Sequence, residues 1–147
     1  MDIAVRAYDS IGDEAFVLST WMKSYRDAGA VRSVPTPIYN IGQRYRIMNI
    51  LQDIETYILV ACDRETPEVI YGYVVCKAPN VVHYLYTKGN VRQQGVAKAL
   101  LQHLNWEDPI FYTHKGADIW MEQKLKNDTG LINLIHNPFI LETTECK

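Results

Sequence analysis

The sequence predicts a mixed α/β (α+β) domain: a largely antiparallel sheet of six to seven strands flanked by about four helices. Three observations predict it. Short runs rich in β-branched and aromatic residues alternate with longer runs of helical periodicity. Three of the strand-like runs follow one another over residues 57–87, separated only by turns. The 147 residues, 48% apolar and 22% charged, fit one domain that buries a core without a disulfide or metal staple.

Residues 2–8 read as a strand, with Ile3, Val5 and Ala7 on one face and Arg6 and Tyr8 on the other. Residues 9–13 break it. A helix follows to about Asp27, its stripe made by Phe16, Val17, Thr20, Trp21 and Ser24, and Ala28-Gly29 stops it. Residues 31–37 form a loop with prolines at 35 and 37, and a second helix over 38–51 runs through Ile41, Tyr45, Met48 and Leu51. Strands are expected at 57–62, 69–77 and 81–87, punctuated by Thr66-Pro67 and by residues 78–80. The best helical pattern spans 92–104, with Val96, Ala99, Leu100, Leu101 and Leu104 on one side. Asp108-Pro109 opens a short strand at 110–113, a helix is predicted over 116–125, and 131–135 with 139–143 read as a closing strand pair around His136-Asn137-Pro138. No repeat or linker interrupts this order.

Fifteen Lys and Arg against seventeen Asp and Glu give a net charge of −2, which excludes a chain that is polycationic as a whole. No apolar run reaches the length of a membrane span, and residues 1–6 lack the apolar core of a signal peptide. The expectation is a cytoplasmic protein without a membrane partner. Cys62, Cys76 and Cys146 are odd in number and form no Cys-x-x-Cys. In a hairpin turning at 63–68, Cys62 faces residues 69–71, away from Cys76, so no bridge between the two is expected.

One segment carries a sharp signal. Residues 84–101 run strand, tight turn, helix, and Arg92-Gln93-Gln94-Gly95-Val96-Ala97 sits at the expected helix start. A helix N-terminus presents unpaired backbone N–H groups and a partial positive charge, which suits a phosphate. Gly95 and Ala97 let a pyrophosphate approach the backbone, and Arg92 and Lys98 add charge. The spacing matches neither the Walker A pattern nor the G-x-G-x-x-G fingerprint. The competing reading is that Gly95 merely eases helix–sheet packing.

In these residues the sequence resembles the GCN5-related N-acetyltransferase (GNAT) family. Its Arg/Gln-x-x-Gly-x-Gly/Ala motif is met by Arg92, Gly95 and Ala97, Leu85-Tyr86-Thr87 stands where members carry a Leu-x-Val strand end, and the element order fits over almost the whole chain. The resemblance implies an acetyl-CoA-dependent N-acetyltransferase that moves the acetyl group from the thioester directly to an acceptor amine. Acetyl-CoA would lie with its pantetheine arm along Leu85, Tyr86 and Thr87. Its pyrophosphate would lie on the amides of Arg92, Gln93, Gln94, Gly95, Val96, Ala97 and Lys98. The stretch Ser19 to Arg26 also resembles the first helix of small phage- and prophage-encoded GNAT-like proteins.

Such chemistry needs a proton acceptor for the amine and a donor for the departing thiolate. His83 is the candidate base. It is placed by strand parity with Leu85 and Thr87, and histidine stands at this offset in the serotonin N-acetyltransferase branch. The tyrosine that many members carry after the fifth strand is missing, since no tyrosine follows Tyr112. Tyr84, Tyr86 or Tyr112 would have to replace it, or the thiolate leaves unassisted. The histidines and cysteines show no metal-ligand spacing, so no metal is expected.

The acceptor side is expected in residues 21–46, where Lys23, Arg26, Arg32, Arg44 and Arg46 face Asp27 alone among aromatics. Trp21, Tyr25, Arg26, Arg44 and Tyr45 are the substrate candidates. This segment also supports the alternative function, a non-catalytic or repurposed GNAT-fold module that binds nucleic acid or a protein, including a DNA-modifying role. The resemblance further implies that a homodimer can form through the terminal strands.

Overall fold

A computed structural model describes residues 1–29, 31–77, 80–114, 127 and 134–140. The elements run β1 (Ile3–Ala7), α1 (Ser10–Asp27), α2 (Thr36–Gln52), β2 (Thr56–Asp63), β3 (Ile70–Lys77), β4 (Val81–Thr87), a 3-10 turn (Gly89–Val91), α3 (Val96–Gln102), β5 (Ile110–Tyr112) and β6 (Leu134–His136). The six strands form one sheet in chain order. β1 to β4 are antiparallel neighbours, whereas β5 lies parallel to β4 and β6 parallel to β5. The mixed, mostly antiparallel sheet is as predicted.

Two apolar clusters lie on the two faces of the sheet. α3 buries Val96, Ala97, Leu100 and Leu101 against Val74, Val82, Leu85 and Ile110. On the other face, α1 and α2 bury Val17, Trp21, Ile47 and Ile50 against Val60, Tyr73, Val75 and Tyr84. The predicted stripe of α1 faces the sheet, and its polar members find partners there. Thr20 Oγ1 lies 2.8 Å from Tyr73 Oη, and Ser24 Oγ lies 2.6 Å from Tyr84 Oη. Asp9 caps the helix by accepting from the Ile11 amide.

Three expectations are corrected. α2 buries Tyr39, Gln43, Ile47 and Ile50, and the predicted stripe instead leaves Ile41 75% and Tyr45 59% exposed. Its apolar residues lie all round the helix, and the buried face holds two polar ones, so periodicity gives no direction. The Tyr39 hydroxyl donates to the Met22 carbonyl and Gln43 reaches His114. The last helix of the sharp segment starts at Val96, not at Arg92, because Gly95 takes a left-handed conformation (φ 88°) and Arg92 is extended. In the closing pair, Pro138 and Phe139 form a turn in which Asn137 Oδ1 accepts from the Phe139 amide. The predicted helix at 116–125 and residues 141–143 lie outside the described residues. Cys62 pairs with Ile70 across the hairpin and Cys76 with Tyr57, and both are buried free thiols.

β4 carries one residue more than β3 along their shared ladder: Val75 opposes Tyr84, but Cys76 opposes Val82. His83 is the extra residue of this bulge. Strict alternation breaks there, so Val82 and Leu85, three apart, both face α3.

Candidate active site

β4 and β5 pair only at Val81↔Phe111 and Val82↔Tyr112. Beyond that rung β5 ends and β4 continues to Thr87. The Lys88 amide donates to the Tyr71 carbonyl on the β3 side. Alternation then turns the amide groups of Tyr84 and Tyr86 towards β3 and those of Leu85 and Thr87 towards the side that β5 has vacated. Among the described residues the end of the strand thus has no strand partner on that side, a place where an extended ligand carrying amides can add as a further strand.

Two clefts meet at that edge. One, of about 410 Å³, is lined by Ser24, Asp27, Ala28, Tyr84, Leu85, Tyr86, Thr87 and Arg92. The other, of about 300 Å³, is lined by Thr87, Arg92, Gln93, Gly95, Val96, Ala97 and Lys98. Thr87 and Arg92 border both, so the two clefts adjoin, one reaching the α1 C-terminus and the other the start of α3. At the junction Thr87 Oγ1 is buried with no hydrogen-bond partner. Arg92 Nε donates to the Thr87 carbonyl at 3.5 Å. No side chain caps α3, and a Cβ on Gly95 would meet nothing within 4 Å. Glycine is needed here for its positive φ, and its bare Cα leaves the groove open.

Tyr84 is the polar side chain best placed on the cleft wall. Its ring stacks on Trp21 with centroids 5.0 Å apart. The Ser24 hydroxyl donates to the Thr20 carbonyl at 2.6 Å, which leaves Ser24 Oγ to accept from the Tyr84 hydroxyl. Burial pushes the Tyr84 phenol well up from its ordinary value, so it stays protonated. Tyr86 lines the cleft too, held by Tyr73 (5.2 Å, stacked) and Phe16 (6.2 Å, edge-on).

His83 is corrected as the base. The bulge removes it from the parity of Leu85 and Thr87, and it is 1% exposed. Its Nδ1 lies 3.1 Å from Thr113 Oγ1, and burial pushes its imidazole down to about 4. It does not line either cleft. Of the predicted substrate residues, Trp21 is fully buried and serves as the floor under Tyr84. Tyr25 packs edge-on against Tyr84 and His114. Arg26 donates to the Val34 carbonyl and lies over the Tyr39 ring. Lys23 pairs with Asp27, and Arg32 donates to the Asp27 carbonyl. Lys23 and Arg32 make these contacts at the surface, Arg26 alone of the five basic groups is turned inward, and Arg44 and Tyr45 are exposed on the outer side of α2. Sequence reasoning missed Ser24 and Asp27 as cleft residues. The available signal was a serine on an otherwise core-facing helix stripe, a group that must find a polar partner.

Among the described residues no group of three or more His, Cys, Asp or Glu side chains is arranged to hold a metal ion. None of the described helices is long and apolar enough to cross a membrane.

With a strand order of β1 to β6, a bulged β4 that parts from β5 and a glycine turn leading into α3, the chain has a GNAT-like fold. The chain is similar to YycN from Bacillus subtilis, assigned as an acetyltransferase, with a TM-score of 0.60 and 14% identity over 88% of this chain and 91% of that one. It is also similar to YjaB from Escherichia coli, solved in its apo form, with a TM-score of 0.51 and 19% identity over 70% of this chain. The match spans 64% of YjaB, just under two thirds of its length. Identities this low establish a shared fold. No protein-family model matches the sequence, and no curated protein matches it.

Proposed function

We propose that the protein transfers an acetyl group from acetyl-CoA to an acceptor amine. The observation that carries this reading is the edge of β4 that β5 leaves open, bordered by two adjoining clefts that share Thr87 and Arg92. These residues fit acetyl-CoA. The Leu85 and Thr87 backbones would take the amides of the pantetheine arm. The turn at 92–97, with Arg92 and Lys98 beside it, would take the pyrophosphate. When bound, acetyl-CoA supplies the activated acetyl thioester.

The chain's own groups account for the rest. An amine reaching the cleft from the side of Ser24, Asp27 and Ala28 would meet the thioester at the β4 edge. Its nitrogen bonds to the acetyl carbon as the carbon–sulfur bond breaks. The proton lost by the amine passes to solvent or to Asp27, and the departing sulfur takes the proton of the Tyr84 hydroxyl. Tyr84 is suited to that step by its place on the cleft wall beside the β4 edge, with its hydroxyl in the protonated form. The alternative, a binding module acting through 21–46, loses Arg26, which is turned inward to the Val34 carbonyl, while Lys23, Arg32, Arg44 and Arg46 stay at the surface.

The test is release of free CoA thiol from acetyl-CoA across a panel of primary amines. Amine-dependent release with formation of the acetylated amine supports the reading. A folded protein that binds acetyl-CoA yet acetylates none of a broad panel of small amines, peptides and nucleobases would reduce it to a binding module.

A further inference from the structure

Four polar side chains lie where apolar ones would pack at lower cost. Gln43, His83, Thr113 and His114 are each more than nine-tenths buried, and they form one chain of hydrogen bonds. Gln43 Nε2 is 2.8 Å from His114 Nε2, His114 Nδ1 is 3.0 Å from Thr113 Oγ1, and Thr113 Oγ1 is 3.1 Å from His83 Nδ1. One placement of hydrogens satisfies every link. The Gln43 amide donates to His114 Nε2, His114 Nδ1–H donates to Thr113, and the Thr113 hydroxyl donates to His83 Nδ1. That placement requires both imidazoles to be neutral. Burial holds them so, pushing His83 down to about 4 and His114 down to about 3.

The chain stands at a particular place in the fold. His83 is the extra residue of the β4 bulge, and Thr113 is the first residue past β5. Val82↔Tyr112, the last rung between these strands, lies next to both. The Thr113 amide donates to the Val82 carbonyl at 3.2 Å, so backbone and hydroxyl of one residue both hold β4 from the β5 side of the fork. At the far end, the His114 ring meets Trp21 (5.1 Å), Tyr25 (4.7 Å) and Tyr84 (6.0 Å) edge-on. The same histidine therefore braces the ring whose hydroxyl reaches Ser24.

We propose that the chain Gln43–His114–Thr113–His83 is a positioning network that fixes the fork between β4 and β5, and with it the open edge at Leu85 and Thr87 and the orientation of Tyr84. None of the four touches the groove, so they act through β4 and Tyr84. An apolar plug would fill the space without choosing one bulge geometry, whereas a fully satisfied polar chain selects one. What is positioned, an edge for acetyl-CoA, rests on the function proposed above, but the geometric claim does not.

Thr113→Val keeps the shape of the side chain and removes the hydroxyl, and Thr113→Ser keeps the hydroxyl. Two readouts separate the claims. Backbone amide resonances of Leu85 and Thr87 and ring resonances of Tyr84 need no ligand. They are expected to move in the valine variant and to return towards wild-type positions in the serine variant. Acetyl-CoA affinity is expected to fall about tenfold in the first and recover in the second. Resonances of β4 and Tyr84 that stay put in a folded Thr113→Val protein, or that shift equally in both variants, would overturn the network. Wild-type protein that fails to bind acetyl-CoA would overturn the functional reading alone, with the resonances still deciding the network. If Thr113→Val does not fold, Gln43→Met cuts the chain at its helix end and is read in the same way.

Discussion

Tyr84 ties the cleft to the core: it stacks on Trp21, donates to Ser24 and lines the cleft beside the open strand edge. Its proposed role is narrow, a proton for the departing sulfur. Tyr84→Phe keeps the stack and leaves Ser24 bonded to the Thr20 carbonyl, so folding and acetyl-CoA affinity should hold. Turnover should fall by about 10²-fold, the usual yield of a positioned acid. A steady-state comparison of kcat with acetyl-CoA KM checks this, and an unchanged kcat would remove Tyr84 from the chemistry. Gly95 makes a different demand, since any other L-residue at φ 88° costs about 1–2 kcal/mol. The motif reading singled out Gly95, whose positive φ is a local constraint. It misplaced His83, because an extra residue in a strand is set by pairing with β3 and leaves no mark in the sequence of β4 itself.

At the scale of elements, the approach of β3, β4 and α3 depends on Gly72. A Cβ there would collide with the Tyr86 carbonyl and come within 2.9 Å of Val96 Cγ1. Neither neighbour can yield easily, one being sheet backbone and the other the first residue of α3. Gly72→Ala should therefore lower the thermal midpoint and weaken acetyl-CoA binding together, because the same shift moves the strand edge and the start of the turn. Differential scanning calorimetry beside a binding titration checks the pairing of the two effects, and an alanine variant that loses neither would contradict it. β4 was legible from its aromatic and β-branched run, and its bounds agree with the prediction. α2 was legible as a helix but not in its orientation. Its core face is chosen by Gln43 reaching His114, 71 residues away in sequence, and periodicity cannot register a distant partner. The fork between β4 and β5 was not legible in the sequence, since where β5 stops is decided by tertiary packing.

For the whole molecule, the two buried imidazoles set a dependence of stability on pH. Both are neutral in the fold, with values lowered to about 4 and about 3, while the unfolded chain takes up protons near the ordinary value of 6.5. The unfolded state then binds more protons below pH 6.5, so stability falls as pH drops from there towards 4 and is fully present above that window. The Asp13 carboxyl, held low by the Arg6 guanidinium at 2.6 Å, adds a loss in the same direction at still lower pH. A melting temperature that stays flat between pH 7 and 4 would contradict the buried neutral pair.

The central claim is that acetyl-CoA lies along the free edge of β4 and the turn before α3. Isothermal titration of acetyl-CoA into wild-type protein and into Gly95→Trp and Arg92→Glu variants, each checked for folding by circular dichroism, tests it most directly. Binding in the micromolar range by the wild type, abolished by a side chain that fills the groove at Gly95 and weakened by reversed charge at Arg92, is the predicted result. Wild-type protein that is folded and binds no acetyl-CoA, or a folded Gly95→Trp variant that binds it as tightly, would contradict the account.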